Sequence, residues 1–122
     1  MSVRESGAES RGRLNGARRP AIDVSQLRSQ TLGNVELEKK VLRLFVHQLA
    51  ECIDRIRRAE TVTQRSEAAH TLVGAARGVG AQSIAYIASE IELARGPGTG
   101  RLLALERAAG AARFAITGLL TE

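Results

Sequence analysis

A histidine, His70, stands in the middle of a helical pattern, "EAAHTLVGAARGVGAQ", Glu67 to Gln82. Such a residue can be a satisfied core histidine, a metal ligand or a nucleophile at the surface. Helix geometry separates the three, because each residue turns about 100°. With His70 at zero, Ser66, Glu67, Gly74 and Arg77 fall within about 60° of it. Ala68, Leu72, Ala75, Ala76 and Val79 lie about 120° or more away and form the expected core face. His70 therefore faces water. A zinc site needs further ligands at helical spacing, and no His, Cys or Asp stands three or four residues from His70. No metal is expected here.

The neighbours point to a reactive imidazole. A glycine inside a helix costs about 1 kcal/mol relative to alanine. Gly74 lies one turn beyond His70 on the same exposed face, where core packing gives no reason for it. Its missing side chain leaves room for a large partner. Arg77, two turns on, leans back toward His70, because helical side chains tilt toward the N-terminus. An imidazole of ordinary pKa, about 6.5, is largely neutral and nucleophilic at pH 7. A nucleophile, an open approach and a fixed cation are what phosphoryl transfer requires, since positioning and charge neutralisation supply most of its catalysis.

The elements that must carry this site read as helices. The chain has 122 residues, 43% of them hydrophobic, with one Tyr, two Phe and no Trp, which suits one small domain with an aliphatic core. Asp23 caps a short helix that Gly33 stops, with Gln26 placed as the far half of a capping box. Asn34 caps a long helix whose apolar stripe is read as Leu37, Val41, Leu44, Phe45, Leu49, Cys52, Ile53 and Ile56. Thr61 caps a third, from about Val62 to Val79, ended by Gly78 and Gly80. A fourth runs from about Ala81 to Arg95, and a fifth from about Thr99 to Leu120. Short connections make neighbours antiparallel. The expected architecture is thus all-α, an up-down-up-down four-helix bundle over residues 21–122 with a short extra N-terminal helix.

Residues 1–20 are read as a disordered basic tail, with five Arg and two Glu and no period. Without interleaved aromatics or a basic helix face, this tail is a weak case for nucleic-acid binding. The lone Cys52 rules out an internal disulfide, and no apolar run approaches the ~20 residues that span a bilayer. A cytoplasmic protein that needs no membrane is expected. "GPGTGR" lacks the Gly-Lys-Ser/Thr ending of a phosphate loop and is read as a connector. His47 is an ordinary surface histidine.

The stretch "HTLVGAARGVGA", His70 to Ala81, resembles the signature of histidine-containing phosphotransfer (HPt) domains: His, any residue, Leu, Lys, Gly, small residues, then a later Gly-Ala or Gly-Leu. The upstream "IDVSQLRSQTLGNVELEKKVLRLFVHQLAECIDRIRRA" is similar to that family's first helices. The resemblance implies that His70 accepts a phosphoryl group from a receiver-domain aspartate and passes it to another. It matches Leu72 to the core leucine and Gly74 to the glycine beside the histidine. The receiver is then the partner and supplies the magnesium. This chain needs no cofactor and is a monomeric carrier, not an enzyme.

One position departs: the family's usual lysine is Val73 here, and Arg77 is the substitute cation on this face. Docking is expected to use an apolar patch around His70 with Val73 at its edge, flanked by Ser66, Glu67, Gly74 and Arg77. The competing reading is a bundle that docks receivers or kinases without efficient transfer. A hydrolase ranks last, since Glu67 is the one acid visible near His70 and no Ser-His-Asp set emerges.

Overall fold

Asp23 has an extended backbone, and its carboxylate accepts from the Gln26 amide at 3.1 Å. That cap starts α1, Val24–Gln30. Asn34 accepts from the Leu37 amide at 3.0 Å and starts α2, Val35–Arg58. Thr61 does the same for α3, Val62–Gly78, accepting from Gln64 at 3.0 Å. Next come α4, Gln82–Leu93, and α5, Thr99–Leu120. The structure, a computed structural model, describes residues 20–96 and 99–121, and all its regular elements there are helices. The expected tail, Pro20 apart, lies outside the described residues, as do Pro97 and Gly98 of the connector.

Four helices enclose one core: α2 packs on α3, α3 on α4, α4 on α5, and α5 on α2. The core is aliphatic, with Phe45 its largest side chain and Leu42, Leu49, Leu72, Ile84, Ile91, Leu105 and Ile116 fully buried around it. Small residues at Ala68, Ala76, Ala88, Ala109 and Ala112 let the helices approach closely. Polar ties join the rims. Arg57 of α2 pairs with Glu106 of α5, and Arg101 of α5 donates to Glu90 of α4 at 2.6 Å.

The buried stripe of α2 differs from the sequence reading. It runs through Glu38, Leu42, Phe45, Leu49, Cys52, Ile53 and Ile56, while Leu37 and Leu44 are exposed. The observed set keeps a stricter alternation of four and three residues. Leu42, next to Val41 in the chain, is absent from the expected stripe, and Glu38 is a carboxylate, which is not expected inside. Glu38 is satisfied there by Arg28 of α1, at 3.4 Å. Cys52 is a buried free thiol, and burial pushes its pKa up, which makes it an inert core residue.

The turn after α3 is a Schellman motif. Ala81 donates to the Ala76 carbonyl at 2.9 Å and Gly80 to the Arg77 carbonyl at 3.3 Å, with Gly80 at φ +74°. The Asp23 amide donates to the Gly80 carbonyl at 2.8 Å, so α1 is tied across the turn. Gln26 does not close its capping box. Its amide group donates to the Arg77 carbonyl at 2.6 Å and accepts from Gln82 at 2.8 Å, bridging the end of α3 to the start of α4.

Candidate functional site

The tight turn at Gly80 folds α4 back along α3 and fixes which residues meet. Opposite His70 stands Glu92, the next-to-last residue of α4. His70 Nδ1 lies 2.8 Å from Glu92 Oε2. A carboxylate only accepts, so in the neutral ring the proton belongs on Nδ1 and the lone pair on Nε2. The His70 side chain is 75% exposed, and Glu92 is half-buried. The imidazole is thus held at one nitrogen and presented to solvent at the other.

Around it the expected face is partly assembled. A β-carbon added at Gly74 would meet nothing within 4 Å, so nothing in the bundle requires glycine there. The space beside the imidazole is open. Arg77 is exposed on the same side; its carbonyl is used by Gln26, and its guanidinium has no ion pair among the described residues. Exposed apolar side chains come from α4, at Tyr86 and Leu93.

Three expected participants sit elsewhere. Val73 is 5% exposed and belongs to the core, so it does not edge a docking patch. The reason is the direction of α4. Ser66, at about −40° on the helical wheel, bonds to Glu92 of α4, and Val73, at about −60°, lies on that same flank. The buried arc of α3 is turned toward α4, which covers Ala69 and Val73 and leaves Ala75 only half-buried. A lysine at position 73 would have to thread its stem out past that seam. Ser66 is not free to meet a partner, since its hydroxyl donates to the Glu92 carbonyl at 3.0 Å. Glu67 turns to the other flank and lines a shallow cavity of about 220 Å³ with Arg55, Arg58, Ala59 and Gln64.

Glu92 is the residue that sequence reasoning missed. Its signal was available: with the turn centred near Gly80, residue 70 on α3 faces residues near 90 on α4. His47 is exposed on α2 and stands apart from these groups. Among the described residues, no three His, Cys, Asp or Glu side chains converge as a metal set would, and no helix is long and apolar enough to cross a membrane.

The comparison with family models decides what this arrangement belongs to. Residues 40–121, two thirds of the chain, match the Hpt domain. The chain belongs to the Hpt domain family. The match takes in most of α2 and all of α3, α4 and α5, and with them His70, Gly74 and Glu92. Hpt domains are phosphocarrier modules of two-component phosphorelays, and their partners are receiver domains. No curated protein and no solved structure matches the chain.

Proposed function

We propose that this Hpt domain carries a phosphoryl group on Nε2 of His70 between receiver-domain aspartates. Its frame is an up-down-up-down antiparallel bundle, α2 to α5, with α1 as a short addition. The carrier works as a cytoplasmic monomer, and the divalent cation of the reaction belongs to the receiver. The observation that carries this reading is the pairing of Glu92 with Nδ1 beside the open space at Gly74.

In the forward step, the Nε2 lone pair attacks phosphorus of the receiver's aspartyl phosphate. The P–O bond to the aspartate breaks as the P–N bond forms, and the aspartate leaves as a carboxylate. The positive charge that develops on the ring is shared with Nδ1–H, which Glu92 holds by hydrogen bond. Arg77 supplies the cation nearest in helix register for a group of roughly −2 charge. Passage to the next receiver reverses each of these events. The Ser66 hydroxyl is committed to a backbone carbonyl and is not available as a nucleophile beside the imidazole.

The test is incubation with a panel of phosphorylated receivers, followed by acid treatment of any labelled protein. Acid-labile label that disappears in His70→Gln and persists in His47→Gln is expected. Label retained in His70→Gln moves the site elsewhere. Tight receiver binding with no label at all would favour the docking-only alternative.

A further inference from the structure

We propose that Ser66 and Arg65 are positioning residues that clamp the last turn of α4, so that Glu92 meets His70 in one geometry. This inference rests on the phosphocarrier reading for its consequence, but its geometry concerns the resting protein alone.

Glu92 is in a precarious place. It is the next-to-last residue of α4, a helix of 12 residues, and helix ends of this length fray readily. α4 has no side-chain cap at its N-terminus and no basic residue in its last turn. Its terminal carbonyls lack partners inside the helix. The deficit at the C-terminal end is made good from α3. Ser66 donates to the Glu92 carbonyl at 3.0 Å, and Arg65 Nη2 donates to the Ala94 carbonyl at 3.1 Å. The guanidinium also sets a positive charge against the negative end of the α4 dipole.

Glu92 is therefore gripped twice from one helix face. Ser66 holds its main chain, and His70, four residues later, meets its carboxylate at 2.8 Å. Residues four apart stand one above the other on a helix, so the two grips act along one line. Arg65 secures the next residues and keeps the turn from unwinding. A further sign comes from Arg65 itself: its Nε is buried without a hydrogen-bond partner among the described residues. An unpaired buried N–H is costly, and such groups call for a reason beyond packing. Reaching the end of α4 is that reason here.

The clamp fixes the imidazole tautomer. With Glu92 in place, Nδ1 keeps its proton and the lone pair stays on Nε2. With the last turn of α4 loosened, the ring is free to take the other tautomer and loses its attacking electron pair.

The experiment uses the full chain, ¹⁵N-labelled, with long-range ¹H–¹⁵N spectra of the two imidazoles at a pH where they are neutral; His47→Gln assigns them. In the parent, His70 is expected as the Nδ1–H tautomer. Ser66→Ala and Arg65→Ala should move it toward a mixture, and Ser66→Thr should restore it. Thermal melts identify variants that do not fold, and Arg65→Lys, which keeps the charge without the reach of Nη2, replaces Arg65→Ala if needed. With a receiver, Ser66→Ala should lower the saturating transfer rate about tenfold, at the low end for a residue that orients a functional imidazole's partner. The half-saturating receiver concentration should stay put. In a Glu92→Gln background the same change should cost nothing more, because the two act through one bond. An unchanged tautomer in folded Ser66→Ala and Arg65→Ala overturns the clamp, as does an equal loss in both backgrounds. Failure of every receiver to label His70 would instead overturn the phosphocarrier reading, while the spectra would still decide the clamp.

Discussion

Two glycines of one polypeptide stretch, Gly74 and Gly80, stand six residues apart in opposite circumstances. At Gly80, φ is +74°, and an added β-carbon would meet the Asp23 carbonyl oxygen at 2.8 Å and the Asp23 β-carbon at 2.9 Å. At Gly74 the backbone is helical and the same β-carbon would meet nothing. The first glycine is demanded by the fold. The second weakens a helix without serving the bundle, as Gly110 and Gly118 of α5 also do, but it alone of the three stands one turn from His70, where the proposed receiver would approach. A residue that the fold does not explain is a better pointer to function than one that it does.

The contrast can be broken by substitution. Gly80→Ala should cost the most, about 2–4 kcal/mol, by combining a left-handed backbone with a backbone clash. Chemical denaturation measures it, and a loss below about 1 kcal/mol would mean that the α1 tie gives way freely. Gly74→Arg should leave helix content and melting intact yet weaken receiver binding by at least about tenfold, or 1.4 kcal/mol. Calorimetry that finds undiminished affinity would remove the open-approach argument. Arg77→Ala should slow transfer and shorten the life of phospho-His70 by roughly tenfold or less, since loss of one catalytic donor costs ~10²–10³ only where that donor dominates. Rapid-quench rates equal to the parent's would reduce Arg77 to a solvated charge. The smallest effect belongs to Gly74→Ala, which should stabilise the protein by up to about 1 kcal/mol, the propensity gain with no clash to offset it. A destabilised Gly74→Ala would show that the fold does constrain this position.

Val73 carries a related expectation. Because it is core, Val73→Lys should destabilise the bundle by about 1–3 kcal/mol and not simply add a helpful cation. A melt unchanged from the parent's would place the lysine head in solvent beside the site.

The local signals of the fold were legible in the chain. Asp23, Asn34 and Thr61 cap the helices they were expected to cap, and helix ends fall within about two residues of those read from periodicity. What escaped was relational. Glu38 reads as a surface charge until Arg28 of α1 is known to lie over it. Val73 reads as half-exposed because a helical wheel gives directions but not which flank a neighbour covers. The exposed His70, Gly74 and Arg77 could be found from one helix alone. Glu92 could not, since its meaning depends on a contact across 22 positions that a turn creates.

That turn has a consequence for how the chain tolerates changes of length. One residue inserted between Gly78 and Gln82 would advance α4 by about 1.5 Å and rotate it by about 100°. Ile84, Ala88 and Ile91 would leave the core, and the carboxylate of Glu92 would swing away from the imidazole. A residue inserted beyond Arg95 falls after both anchor points of α4 and leaves that pairing alone, at the modest entropic cost of a longer loop. The hairpin turn is therefore a gauge set to a single length, and insertions or deletions should be borne in the second connector and not in the first.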